Sequence, residues 1–372
     1  MKITKVEAIP LRLPEKEIER KATGTNEALV IKVHTDEGII GIGESFTSAT
    51  MGKAVIDAPY SFSVCSGLGR IIIGENPLDI GPLYEKMYNE TFYVGRRGLV
   101  IQSMAGIDMA LWDIAGKYYN APIHKLMGGA FRKSIRCYAS DLFGKDGEET
   151  YQKAKHWREQ GFTAVKFGWS PLGQSEKLDI ELVEGARRGM GDENDILIDA
   201  GCCYNSKTAI RRARQFEQFN PYWLEEPVDQ DNIEGYQAVA SNCSIPISGG
   251  EGCNGLWQFK SFIDNNNTNI IQIDLADNGF TVARKVAEYA EMKHKQVCNH
   301  FYSTPICLAA SIQFVAAFKS AEIMEYCVEP GPIRHKLIKE NLEPTNGYIT
   351  VGDKPGLGIT LDEDFIEEYR MK

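Results

Sequence analysis

The chain has 372 residues, 43% of them hydrophobic and 25% charged, with a formal net charge of −10. This length can bury a sizeable core, as two domains or as one large barrel with an addition. The acidic balance argues against nucleic acid and anionic membranes as partners, and no stretch approaches the roughly 18 apolar residues of a membrane span.

The first residues, Met-Lys-Ile-Thr-Lys-Val-Glu-Ala-Ile-Pro, read as a strand rather than a signal peptide. Strands are expected over 3–12, 28–35 and 38–45, the last two joined by a tight turn at Asp36-Glu37-Gly38. A helix is expected over 98–119, with Ile107, Ala110, Leu111 and Ile114 on one face and Asn120-Ala121-Pro122 as its stop. From about residue 134 the pattern alternates. Strand-like runs fall at 134–139, 163–168, 195–199, 222–225, 245–249, 270–274, 296–300 and 322–326, with helical segments such as 149–160, 205–218 and 279–292 between them. Eight strands separated by about seven helices predict an α/β fold, a (β/α) barrel rather than an open sheet. The tail 330–372 has no further unit of this kind and is expected to fold back onto the N-terminal region. The nine cysteines are scattered and form no CxxC pair, which predicts reduced thiols in a cytoplasmic protein.

Barrel enzymes place their chemistry at the C-terminal ends of the strands. Three of those ends carry acids at equal spacing: Asp199, Glu225 and Glu251 stand 26 residues apart. One strand, one helix and two short loops account for that pitch, so the three carboxylates converge from neighbouring strands. Converging anions repel unless something neutralises them, and a hard divalent cation with oxygen ligands, Mg²⁺ above all, is the simplest solution. The other ends add Lys166, Asp274, His300 and Glu325. Alternation points Ala164, Lys166 and Gly168 into the barrel and Val165 and Phe167 outward; Gln272 and Asp274 likewise face in. Asp274 beside His300 predicts a dyad, in which the carboxylate fixes one ring nitrogen and leaves the other for proton transfer. Glu226 competes with Glu225 as a ligand. Glu225 is preferred because it ends the strand and shares a face with Trp223, and Glu226 is expected in a structural ion pair. Each of these residues alone has an ordinary reading, as a helix cap, a core histidine or a bridging lysine; the common register argues otherwise.

Taken in order, these motifs resemble the enolase superfamily, within its mandelate racemase and muconate lactonizing enzyme-like subgroup. The resemblance rests on Ile107-Asp-Met-Ala-Leu-Trp-Asp-Ile-Ala-Gly-Lys117, Leu126-Met-Gly-Gly129, Leu224-Glu-Glu-Pro227, Gly250-Glu251, the 274–279 segment and His300. It implies a modified (β/α)7β barrel over 126–329, capped by an α+β domain over 1–125 onto which 330–372 folds. It implies one Mg²⁺ per chain on Asp199, Glu225 and Glu251, and cap loops near 15–26 and 47–60 closing over a small-molecule carboxylate. Self-association into a homo-oligomer is expected from the family alone. The pairing of a Lys or His base with Mg²⁺ on an ene-diolate is the known chemistry of this superfamily. Here His300 would move the proton, with Lys166 and a protonated Glu325 stabilising the charge that develops on the substrate.

One departure matters. Related members often carry Lys-x-Lys where this chain reads Lys166-Phe167-Gly168, and glycine carries no proton. A single remaining base favours dehydration: His300 takes the α-proton and returns it to a departing β-hydroxyl on the same face. The expected activity is a sugar-acid dehydratase, a carbon–oxygen lyase acting on an aldonate or aldarate and giving a 2-keto-3-deoxy acid. A racemase, epimerase or lactone cycloisomerase is the alternative, and a barrel without catalysis a remote third. Arg20 and Lys21, with Arg96-Arg97, are candidates for a distal hydroxyl or second carboxylate, or else form solvated basic surface; Trp169 or Tyr93 would wall a larger substrate.

Overall fold

The computed structural model describes residues 1–14, 26–265 and 267–371. Three antiparallel strands open the chain, β1 (Ile3–Arg12), β2 (Glu27–Thr35) and β3 (Ile40–Ser45). The turn between β2 and β3 needs Gly38 at φ +79° and begins β3 two residues later than expected. Four helices follow: α1 (Ala49–Asp57), α2 (Leu68–Ile72), α3 (Ile80–Glu90) and the long α4 (Leu99–Tyr118). The 47–60 stretch, expected as a loop, therefore holds a helix with Ala49, Gly52 and Ile56 buried.

The predicted face of α4 is buried, but so is most of its circumference. On one side it lies against β3 so closely that a Cβ at Gly41 or Gly43 would fall inside the carbonyl oxygens of Ala110 and Gly106. On the other, Asp108 Oδ2 accepts the Thr281 amide at 2.9 Å. Asp113 accepts the amides of Ile42 and Leu357 at 2.9 and 2.8 Å and pairs with Lys117. The aspartates of the 107–117 motif are thus staples that tie α4 to the sheet, to the barrel and to the chain's last segment.

After α5 (Ile123–Leu126) the chain alternates strand and helix: β4 (Ser134–Leu142), α6 (Gly147–Glu159), β5 (Ala164–Gly168), α7 (Glu176–Met190), β6 (Asp195–Asp199), α8 (Ser206–Phe216), β7 (Trp223–Glu225), α9 (Ile233–Ala240), β8 (Ile247–Gly249), α10 (Leu256–Asn265), β9 (Ile270–Asp274), α11 (Leu275–Met292), β10 (Gln296–His300), α12 (Pro305–Ala317) and β11 (Ile323–Cys327). The eight strands run parallel in the order β10-β9-β8-β7-β6-β5-β4-β11, which is the (β/α)7β arrangement. Between β10 and β11 the backbone ladder gives way to a side chain: Asn299 Oδ1 accepts the Glu325 amide at 2.9 Å and Asn299 Nδ2 donates to the Glu325 carbonyl at 3.3 Å. Side chains alternate as predicted. Tyr138, Ala164, Leu197, Trp223, Ile270, Cys298 and Ile323 fill the barrel interior, while Val165, Phe167, Ile271 and Ile273 join the core beneath the helices.

The remaining elements are α13 (Pro332–Lys336), β12 (Tyr348–Thr350) and α14 (Glu363–Tyr369). The tail meets β1 and β2 through the Leu11–Arg370 bridge, the Met371 amide on Pro10 and the Lys32–Glu363 ion pair at 2.6 Å. It also reaches the barrel, where β12 pairs antiparallel with β4. Among the described residues, no helix is long and apolar enough to cross a membrane.

Candidate active site

Strand register alone brings the site together. Gly168 lies opposite Asp199, Asp199 opposite Glu225, and His300 opposite Asp274. Asp199, Glu225 and Glu251 each aim one oxygen at a common point, all within 4.8 Å of one another. This is the one such group of metal-ligating side chains among the described residues. Two of the carboxylates are held by hydrogen bonds: Asp199 Oδ1 accepts the Gly201 amide at 2.8 Å, and Glu225 accepts from Lys166, Trp223 and Gln272 at 2.8 to 2.9 Å. Glu251 follows Gly250, whose φ of +114° turns the chain sharply after β8.

Burial, and then the charge of their neighbours, raises all three acids to about 7, although Lys166 works against the rise at Glu225 and His300 against it at Glu251. The cluster is therefore electrostatically costly as it stands. An all-oxygen donor set, two buried acids and the half-buried Glu251, fits a hard divalent cation and not a thiolate-preferring one. Between about pH 4 and 7 the folded chain also holds protons here that the unfolded chain does not. The stabilisation this provides is complete below the unfolded pKa values and disappears as pH rises through 7. Glu44 and Asp108, raised by burial to about 7 and 6, act in the same direction. The melting temperature of protein held in EDTA is expected to fall between pH 5 and pH 8, and Mg²⁺ to raise it more at pH 8 than at pH 5.5. A flat or rising profile in EDTA contradicts this.

Lys166 is 3% exposed and sits among the acids. Its ammonium lies 2.8 Å from Glu225, 2.7 Å from Glu325 and 4.0 Å from Asp199. Burial alone would lower its pKa, but these anions raise it well above the usual lysine value. Glu325 departs from expectation. Burial pushes its pKa up, yet Lys166 and His300 outweigh burial and bring it below the ordinary carboxylate value, so it stands ionised rather than protonated. It also accepts the Phe301 amide at 2.6 Å.

His300 Nδ1 is 2.7 Å from Asp274 Oδ2, and Asp274 Oδ1 caps α11 by accepting the Ala276 amide at 2.7 Å. The other ring nitrogen, Nε2, faces Glu251 Oε2 at 3.8 Å. Burial would lower the imidazole pKa; Glu251, the Asp274 hydrogen bond and Glu325 together raise it well above the usual value. Phe46 and Tyr302 flank the ring, each with its centroid 6.2 Å away.

The structure explains the glycine in Lys166-Phe167-Gly168. A Cβ there would lie 2.7 Å from Asp199 Cβ and 2.8 Å from Asp199 Oδ2. A side chain at this position would thus crowd the carboxylate of a candidate ligand. Gly168→Ala is expected to displace Asp199 and weaken cation affinity on the order of 10- to 100-fold, read by calorimetric titration; unchanged affinity would mean that Asp199 has room to shift.

Among the described residues, Glu226 makes no ion pair of the kind expected of it. Its backbone takes a φ of +41°, Cys202 Sγ donates to its Oε2 at 3.4 Å, and burial followed by the charges of Asp199 and Glu225 raises it to about 7. Trp169, 55% exposed, lies over Gly201 at the barrel mouth. Tyr93, 72% exposed, packs with Phe62 and Phe92, and Arg96 stacks on Phe92 at 3.9 Å. Arg20 and Lys21 lie outside the described residues. Sequence reasoning missed Phe46, Tyr302 and Glu44. Glu44, on β3, accepts the amides of Thr304 and Cys307 and the Thr304 hydroxyl, holding the start of α12 just after His300.

Two family comparisons cover nearly the whole chain. Residues 2–128 match the mandelate racemase / muconate lactonizing enzyme N-terminal domain, and residues 149–365 match the enolase C-terminal domain-like family. The chain belongs to the enolase superfamily, in its mandelate racemase and muconate lactonizing enzyme branch. It is 31% identical to D-galactarolactone cycloisomerase of Agrobacterium fabrum, over 92% of this chain and 91% of that one. It is 29% identical to arabinonate dehydratase of Saccharolobus solfataricus, over 93% and 91%. The crystal structure of 3,6-anhydro-D-galactonate cycloisomerase from Zobellia galactanivorans superposes with a TM-score of 0.90 at 28% identity, covering all of both chains. The chain is an enzyme of this superfamily, with a divalent-metal type of acidic cluster at its barrel mouth.

Proposed function

We propose that the protein is a Mg²⁺-dependent dehydratase of sugar acids, acting on an aldonate or aldarate. The observation that carries this reading is the asymmetry of the site. His300, locked on Asp274 through Nδ1, presents Nε2 beside Glu251, whereas Gly168, beside Asp199, offers no proton. Asp199, Glu225 and Glu251 would hold the cation, whose chemistry is to neutralise charge on a chelated carboxylate.

The chain's own groups supply the rest. Lys166 donates to the substrate carboxylate as negative charge builds there. His300 Nε2 takes the α-proton, breaking the Cα–H bond, and Asp274 steadies the imidazolium. The same proton then passes to the β-oxygen, the Cβ–O bond breaks, and water departs from the face on which His300 stands. The enol that remains tautomerises to a 2-keto-3-deoxy acid. Arabinonate dehydratase and other relatives named as sugar-acid dehydratases support this class. The cycloisomerases among the relatives support a second reading, in which the α-proton moves without loss of water. The free cysteines fit a reducing compartment, so we place the enzyme in the cytoplasm, and as a homo-oligomer like its family.

A panel of aldonates, aldarates and their lactones, incubated with Mg²⁺ and assayed for 2-keto acid by semicarbazone absorbance, tests the proposal. At least one aldonate or aldarate is expected to yield a keto product. Proton NMR in D₂O separates the two readings: α-proton exchange or lactone opening without keto product favours isomerisation, and an inert panel overturns both.

A further inference from the structure

Glu225 is the most constrained member of the acid cluster. Its side chain is fully buried, and a carboxylate has about four in-plane acceptor positions, two on each oxygen. Oε2 accepts the indole N–H of Trp223 at 2.8 Å and the amide N–H of Gln272 at 2.9 Å. Oε1 accepts the Lys166 ammonium at 2.8 Å. Three positions are filled, and the one left is on Oε1.

The two donors to Oε2 are rigidly placed. Trp223 stands two residues before Glu225 on β7, so both side chains point into the barrel. The indole is locked in the interior layer, edge-on to Tyr138 with centroids 5.5 Å apart and packed beside Tyr222. Gln272 reaches the same oxygen from β9. Only its NH₂ end can face a carboxylate, and its own Oε1 has no hydrogen-bond partner among the described residues. Both groups serve Glu225 without touching the point where the acids converge.

We propose that Trp223 and Gln272 are positioning residues that restrict Glu225 to a single ligand oxygen, Oε1, and thereby bias the centre toward small six-coordinate ions over Ca²⁺. Ca²⁺ accepts bidentate carboxylates and six to eight oxygens, whereas Mg²⁺ demands near-ideal octahedral geometry. A clamp that denies Glu225 its second oxygen favours the smaller ion. The inference rests on the cation centre proposed above and deepens it.

Calorimetric titration of wild type, Trp223→Phe and Gln272→Met with Mg²⁺ and with Ca²⁺ tests it. Trp223→Phe keeps an aromatic ring and removes the N–H; Gln272→Met keeps the length of the chain and leaves the indole in place. Each variant is expected to lose about 10- to 100-fold in Mg²⁺ affinity, while Ca²⁺ affinity falls less than about threefold, because the freed Oε2 offers the larger ion a second contact. Thermal unfolding in EDTA reads the fold separately, and if Trp223→Phe fails to fold, Gln272→Met decides. Unaltered affinities, or equal losses for both ions, overturn the inference and leave the centre standing. A folded wild type that takes up neither ion overturns the centre and the inference together.

Discussion

His300→Asn is expected to lower turnover by at least about 10²- to 10⁴-fold, the usual contribution of a positioned general acid–base group, while metal binding persists. The imidazole is not among the three converging acids. Its Nε2 lies 3.8 Å from Glu251 and its Nδ1 is committed to Asp274. Asparagine can keep a polar contact to Asp274 but has no group that exchanges protons near neutral pH. In the metal-free protein Glu251 favours the protonated ring, which competes with a cation for that carboxylate; without the ring, Mg²⁺ affinity is expected to hold or rise. Single-turnover kinetics and calorimetry read the two quantities separately. Equal loss of activity and of metal affinity would show that His300 supports the fold or the metal site.

Lys166→Met is expected to be the most destabilising of these substitutions in metal-free protein. Lys166 is the one cation within ion-pair distance of Glu225 and Glu325 among the described residues, and both acids are fully buried. Removing one partner of a buried pair leaves uncompensated charge and typically costs about 3–5 kcal/mol. The cost should be larger at pH 8 than at pH 6, since Asp199, Glu225 and Glu251, already raised to about 7, can escape it at low pH by taking up protons. Mg²⁺ should restore part of the loss, and activity should not return with it. Denaturant unfolding in EDTA and in Mg²⁺ measures this; a loss below about 1 kcal/mol at pH 8 would mean that the acids relax or hydrate without their lysine.

The barrel and its rim were legible in the sequence because both follow from local rules. Strands are short apolar runs, side chains alternate, and a helix returns each strand to the same end, so equal spacing of Asp199, Glu225 and Glu251 translates into convergence. Adjacency of β9 and β10 likewise places Asp274 beside His300. What escaped depends on contacts that sequence distance hides. Glu44 caps a helix 260 residues further on, and no periodicity announces it. Glu226, expected in an ion pair, instead meets Cys202 and the acids Asp199 and Glu225 among the described residues, an environment set by the bend after β7 rather than by the side chain. The charge state of Glu325 follows from Lys166 and His300 arriving from β5 and β10. Gly168 was legible as a missing lysine but not as a steric requirement, since that depends on the distance to Asp199. Asparagine 299, which closes the barrel between β10 and β11, reads in the sequence as one more polar residue in a strand.

The most direct measurement is anomalous diffraction from crystals of the enzyme soaked in Mn²⁺ as a stand-in for Mg²⁺. One strong peak is expected among Asp199, Glu225 and Glu251, with His300 uncoordinated beside it. Absence of a peak there, or a peak that takes His300 Nε2 as a ligand, contradicts a cation held by three carboxylates next to a free proton-transfer group.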